Sequence, residues 1–123
     1  MSNLYTRDLR NILKAIKAAE CSEHPKWRVG AAVIRHSDVS LGCNSLRGEP
    51  SSEYFAPTYH AEEVALRQAS NGGRDATCYV ARLSKKGKLR LARPCDGCYA
   101  SLVDSKVKRI VYTTNNGLKG EKL

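Results

Sequence analysis

Apolar positions recur with helical spacing near the start of the chain: Leu9, Ile12, Leu13, Ile16 and Ala19 fall on one stripe, with Arg10, Lys14 and Lys17 largely opposite. That period predicts an amphipathic helix from about Leu4 to Glu20, its stripe being core material. From Val29 to Ile34 every position is apolar or glycine, which suits a strand buried on both faces. His36-Ser37-Asp38 reads as a turn into a second strand, Val39 to Cys43, so a hairpin is expected. Asn44 to Thr58 is rich in Ser, Gly, Pro and Glu without a period, which predicts a loop. A helix then begins near Tyr59, with Ala61, Val64, Ala65, Gln68 and Ala69 as a narrow, small-residue face suited to close packing on a sheet, and Asn71-Gly72-Gly73 stops it.

Further on, Thr77 to Ala81 predicts a strand, and Ser84 to Lys88 is a polar excursion that returns along Leu89 to Ala92. Pro94 stands just ahead of a short helix, Cys95 to Asp104, and Val107 to Thr113 is another strand with Ile110 and Val111 at its centre. Strand–helix–strand units favour parallel pairing and a layered α/β sheet, with functional groups at strand ends and helix starts. A chain of 123 residues, 41% of them hydrophobic, fits a single domain spanning 1–123 with one core. Its apolar runs are far shorter than the roughly 20 residues that span a bilayer. Met1-Ser2-Asn3-Leu4 lacks a charged-then-apolar leader. The expectation is a soluble, unexported, cytoplasmic protein without a membrane partner.

Five cysteines, Cys21, Cys43, Cys78, Cys95 and Cys98, in such a chain argue against a disulfide framework, since the cytosol keeps thiols reduced and the count is odd. Metal binding or burial must explain them. Cys21, Cys43 and Cys78 sit among apolar neighbours and read as small core residues. The formal charge of +9 is uneven: from Arg82 onward eleven Lys and Arg stand against three acids. That excess is either a solvated face or a surface that meets phosphate, free or within a nucleic acid.

Two segments carry chemistry: His60-Ala61-Glu62 at one predicted helix start and Pro94-Cys95-Asp96-Gly97-Cys98 at another. Thiolate and imidazole are preferred zinc ligands, and a Cys-x-x-Cys at a helix start places both sulfurs on one side, where backbone amides favour thiolate. His60, Cys95 and Cys98 make three ligands and leave a fourth position open, as in catalytic rather than structural zinc sites. Glu62, two residues after His60, stands where a proton shuttle is needed. A lone Cys-x-x-Cys serves redox pairs as readily as metals. His-x-Glu followed by Pro-Cys-x-x-Cys is far more specific, being the signature of zinc nucleobase deaminases.

The stretches Val29 to Val33, Gly42-Cys43-Asn44, His60 to Gln68, Ala76 to Val80, Pro94 to Cys98 and Lys108 to Tyr112 together resemble the cytidine and deoxycytidylate deaminase superfamily in order and spacing. With His as first ligand, the chain resembles the branch holding deoxycytidylate deaminases, tRNA adenosine deaminases and polynucleotide cytosine deaminases. The resemblance implies an α/β, three-layer cytidine-deaminase-like fold, a mixed sheet of four to five strands flanked by helices. It implies a zinc-dependent hydrolase that deaminates cytosine in a nucleoside or nucleotide, deoxycytidylate-like, in nucleotide metabolism. The alternative is a deaminase acting on cytosine or adenine within single-stranded DNA or RNA. By position, Zn2+ would be held by His60, Cys95 and Cys98, and Glu62 would be general acid and base. The Ala61 backbone would orient the pyrimidine, Asn44 would bond the sugar and Val29 would line the base pocket.

Two departures from the superfamily's pattern stand out. The basic excursion Ser84 to Arg93 interrupts the approach to Pro94, and little chain follows Thr113. We therefore expect a four-stranded core whose edge is completed by a partner subunit in a homo-oligomer or by a short strand from Leu118 to Leu123. His24 and His36 read as surface or turn residues, lacking metal-spaced partners. Trp27 either packs the first helix on the sheet or stacks on a base, and Tyr54, Phe55 and Tyr59 either contact substrate or cover a core edge. A structural zinc module is the reading from another class, but it would need a fourth protein ligand and no Glu62.

Overall fold

The computed structural model describes residues 4–23, 27–46 and 58–123. His24, Tyr54, Phe55 and the side chain of Tyr59 lie outside the described part. The elements run α1 (Thr6–Glu20), β1 (Arg28–Arg35), β2 (Asp38–Cys43), β3 (Ser45–Leu46), β4 (Thr58–Tyr59), α2 (Ala61–Gln68), a 3-10 turn (Ser70–Gly73), β5 (Thr77–Leu83), β6 (Leu89–Arg90), α3 (Asp96–Asp104), β7 (Arg109–Thr114) and β8 (Gly117–Lys122).

The main sheet has the order β2–β1–β5–β7–β8, with β6 added to β5. Among the described residues, only β5 and β7 pair in parallel, with α3 as their crossover, and the remaining pairs are antiparallel. Period-two alternation sorts the strand residues into two cores. Ala31, Val33, Cys78, Val80, Ile110 and Tyr112 pack with Ala61 and Ala65 of α2 and Leu102 of α3. On the opposite face Ala32, Tyr79, Ala81 and Val111 pack with Ile12 and Ala15 of α1. The result is the expected three-layer α/β/α arrangement around a mixed sheet. The far edge is completed from within the chain, since β8 pairs with β7 from Arg109↔Lys122 to Thr114↔Gly117. Among the described residues, no helix is long and apolar enough to cross a membrane.

Some expectations need correction. Leu9 and Leu13 are 62% and 57% exposed rather than core. α1 meets the sheet so closely at Gly30 that a Cβ there would lie 2.1 Å from the Ala15 carbonyl oxygen. Only small side chains fit that seam, so the contact falls on Ala15 and Ala19, both fully buried, and the leucines are turned to the flank. Cys78 is buried as expected, but Cys21 is exposed and Cys43 only partly covered. Cys21 forms the C-cap of α1, past the packed turn. The expected loop from Asn44 carries a two-stranded ladder joining its ends, Ser45↔Tyr59 and Leu46↔Thr58.

α1 is fastened by a polar clasp absent from the sequence reading. Asp8 is fully buried. Arg109 donates to both its carboxylate oxygens, at 3.1 and 2.7 Å, and the Tyr79 hydroxyl donates at 2.6 Å. The Tyr5 N–H adds a fourth bond at 2.7 Å.

Candidate active site

The N-termini of α2 and α3 converge beside the ends of β1, β2 and β5. His60 is the N-cap residue of α2 and Cys95 that of α3, both in extended conformation, so each side chain stands clear of its helix axis. Cys98 follows one turn into α3, and its N–H lies 3.5 Å from Cys95 Sγ. α2 can approach this point because β2 offers Gly42: a Cβ there would come within 2.6 Å of the Ala61 oxygen and 2.7 Å of the Ala65 nitrogen.

This packing gathers one donor atom each from His60, Cys95 and Cys98 to within 4.8 Å of one another, with Cys98 Sγ 3.3 Å from His60 Nδ1. Tetrahedral zinc, with bonds of about 2.3 Å to sulfur and 2.0–2.1 Å to nitrogen, separates its ligand atoms by roughly 3.5–3.8 Å. The donor types and spacing therefore fit zinc with three protein ligands. Burial, and next the Glu62 carboxylate, push the Cys98 thiol up. Two sulfurs beside a carboxylate form a set that a divalent cation neutralises.

Glu62 is only 5% exposed. Burial above all raises its carboxyl above the ordinary range, against a smaller lowering pull from a backbone N–H and His60. It lines a hollow of about 270 Å³ together with His60, Ala61 and Cys95. That volume lies at the small end of ligand pockets, which run from about 300 to 1,000 Å³, and suits one nucleoside-sized molecule.

The remaining wall answers the other site expectations. Val29, Asn44 and Trp27 line the hollow as one flank. The Asn44 side chain is engaged within the protein: Oδ1 accepts from Ser22 Oγ at 2.6 Å and from the Val29 N–H at 2.8 Å, while Nδ2 donates to the Trp27 oxygen at 2.6 Å. It thus ties the segment after α1 to β1 and the end of β2. An amide carries two N–H donors, and among the described residues the Asn44 amide has the Trp27 oxygen as its acceptor.

The opposite flank contains residues that the sequence reading missed: Arg82, Leu91 and Arg93. Arg82 stands opposite Val29 on β1 and Arg90 on β6. Its guanidinium carbon lies 4.0 Å from the centroid of the Trp27 ring. Among the described residues, its guanidinium donates one long hydrogen bond, 3.4 Å from Nη1 to the Leu91 oxygen. Arg82 Nε is buried without a hydrogen-bond partner, a state that typically costs about 1–3 kcal/mol. Arg93, by contrast, is bound through Nε and NH2 to Glu121 of β8 at 2.9 and 3.4 Å. Strand alternation was the available signal, because Trp27 and Val29 continue the face of Ala31, and Arg82 that of Val80.

Residues 6–114 match the family described as the cytidine and deoxycytidylate deaminase zinc-binding region. The chain belongs to the cytidine and deoxycytidylate deaminase family. Among solved structures, it is similar to a cytidine deaminase from Burkholderia pseudomallei, with TM-score 0.66 at 18% identity over 97% of this chain and 93% of that one. It is equally similar to a dCMP deaminase from the cyanophage S-TIM5, with TM-score 0.66 at 16% identity over 89% of this chain and 84% of that one. RibD from Acinetobacter baumannii matches with TM-score 0.58 at 26% identity over 86% of this chain but 27% of the longer RibD. The candidate-site side chains lie at helix starts and strand ends of this fold.

Proposed function

We propose that this chain catalyses zinc-dependent hydrolytic deamination of cytosine in a free nucleoside or nucleotide, releasing ammonia. The observation that carries the reading is that His60 and Cys95, two members of the donor cluster completed by Cys98, line one small hollow with the buried Glu62 carboxyl. Zinc held by these three side chains would supply a water acidic enough to lose a proton near neutral pH. Glu62 would take one proton from the attacking water and pass it to the ring nitrogen, then take the second from the hydroxyl formed on the ring carbon and pass it to the amine, so that the carbon–nitrogen bond breaks, oxygen stays as the carbonyl and ammonia departs. Its burial favours the protonated carboxyl, the form that must donate in the second half of the reaction. Val29 packs against the base, the Ala61 backbone orients it, and Asn44 offers its remaining N–H to the sugar.

A free substrate is favoured over a strand because the basic C-terminal third does not form one surface. Arg82 and Arg93 line the catalytic hollow, whereas Lys108 and Lys122 line a different one with Tyr5 and Arg7, beside the opposite end of β7. The test is ammonia release by the zinc-loaded protein from cytidine, deoxycytidine, their monophosphates, adenosine and a mixed-sequence single strand, with Glu62→Ala as control. Turnover of a small cytosine compound that vanishes in the variant is the expected result. Activity confined to adenosine or to the strand would overturn the reading. Oligomeric state follows from sedimentation of the same sample, where a homo-oligomer is expected.

A further inference from the structure

Two arginines line the catalytic hollow, and their circumstances differ. Arg93 carries its own counter-ion, with Glu121 accepting from Nε and NH2. Arg82 has no counter-ion within salt-bridge distance among the described residues, and it leaves a buried Nε–H unmatched. Stacking on Trp27 at 4.0 Å fixes the plane of its guanidinium, so the donor fork is oriented before anything binds. Glu62 is the only acidic side chain lining the hollow among the described residues. An oriented guanidinium without a counter-ion, a few residues from a nucleobase site, matches phosphate, whose oxygens take parallel N–H bonds from that fork.

We infer that Arg82, laid against Trp27, is the subsite for the substrate's phosphate, making the chain selective for a phosphorylated cytosine compound over the free nucleoside. The inference rests on the deaminase reading above and specifies the substrate class of that same site. Trp27 is then a support whose ring face is taken by Arg82, rather than a platform for a base on that face. The phosphate belongs either to a mononucleotide or to the backbone of a strand, and the experiment separates the two.

The test measures binding as well as turnover, in the zinc-loaded full chain. Titration calorimetry is run with deoxycytidine 5′-monophosphate, deoxycytidine, inorganic phosphate and a short cytosine-containing single strand, with Trp27 emission as a second readout, because it is the only tryptophan. Arg82→Met, Arg82→Lys and the charge-matched control Lys108→Met are compared with the parent, each checked for zinc content and melting temperature. The parent should bind the monophosphate at least tenfold more tightly than the nucleoside. Arg82→Met should reduce that preference by tenfold or more, Arg82→Lys should restore part of it, and Lys108→Met should keep it. A preference that survives Arg82→Met, or that falls equally with Lys108→Met, overturns the proposal. Where the monophosphate preference falls with Arg82→Met, a larger fall for the strand identifies the strand backbone as the source of the phosphate, and an equal or smaller one identifies the mononucleotide. Arg82-dependent binding of the monophosphate without ammonia release would retain the subsite and refute the deaminase reading. Equal turnover of nucleoside and nucleotide would do the reverse.

Discussion

The Tyr112 hydroxyl donates a short hydrogen bond to Glu121, the carboxylate that also holds Arg93 one residue ahead of Pro94. β8 therefore braces the approach to the Cys95–Cys98 motif through a side chain shared between a buried phenol and an arginine. Burial and then this bond push the Tyr112 hydroxyl up to about 12. Alkaline titration followed by phenolate absorbance should show Tyr112 ionising about two pH units later than an ordinary tyrosine, with buried Tyr79 delayed as well. Glu121→Gln should bring that transition down, because it removes the negative charge that opposes ionisation.

Glu62→Gln should retain zinc and fold while turnover falls by about 10²–10⁴-fold, the usual contribution of a positioned acid–base group. Ammonia release and metal content on one preparation check both halves. A variant that loses zinc along with activity would instead make Glu62 a ligand.

One zinc per chain is expected by elemental analysis, and chelation should abolish turnover and lower the melting temperature, since metal that binds the folded state alone stabilises it. Cys98→Ser should weaken retention. Readdition of zinc, but not magnesium, should restore the parent, because thiolate and imidazole suit zinc and magnesium prefers oxygen.

Asp8→Asn should destabilise the fold by about 3–5 kcal/mol, the range for stranding one member of a buried ion pair. Burial raises the Asp8 carboxyl, but hydrogen bonds from Arg109, Tyr79 and Tyr5 outweigh it and hold the group below 3.8. A depressed native pKa gives stability that is complete above the unfolded value and lost as pH falls through the folded one. The difference between parent and variant, measured by denaturant unfolding, should therefore be level near neutrality and begin to shrink around pH 3.8.

Gly42→Ala should disturb the site without touching a functional side chain. The added methyl meets the α2 backbone at Ala61 and Ala65, and overpacking of this kind typically costs about 1–3 kcal/mol. Zinc retention should fall with stability, since α2 carries His60 and Glu62. Thermal unfolding and metal content report the two effects.

Much of this architecture was legible because local chemistry and global fold agree. Apolar and β-prone runs placed β1, β5 and β7, the turn at His36-Ser37-Asp38 placed β2, and the two motif segments fell at the starts of α2 and α3, where their chemistry requires them. What was not legible depends on contacts distant in sequence. Leu9 and Leu13 match the helical stripe as well as Ile12 does, yet the close seam at Gly30 selects alanines. Arg82 reads as one more residue of a basic segment until Trp27 is seen beside it and Arg93 is found already paired. Asp8 and Tyr79 carry no local signal of their pairing, because Arg109 completes them from far along the chain.

The clasp between Asp8 and Arg109 joins residues 101 positions apart, and this separation has a kinetic meaning. The clasp cannot close until β7 has paired with β5, a parallel, long-range step whose loop-closure entropy must be met first. Folding should accordingly be slow for a chain of this size, with the helix captured late. Contacts that form after the transition state govern how fast the native state opens rather than how fast it is reached. A salt bridge on the side of the sheet away from the chemistry should thus lengthen the lifetime of the native fold, and with it that of the assembled site on the other face.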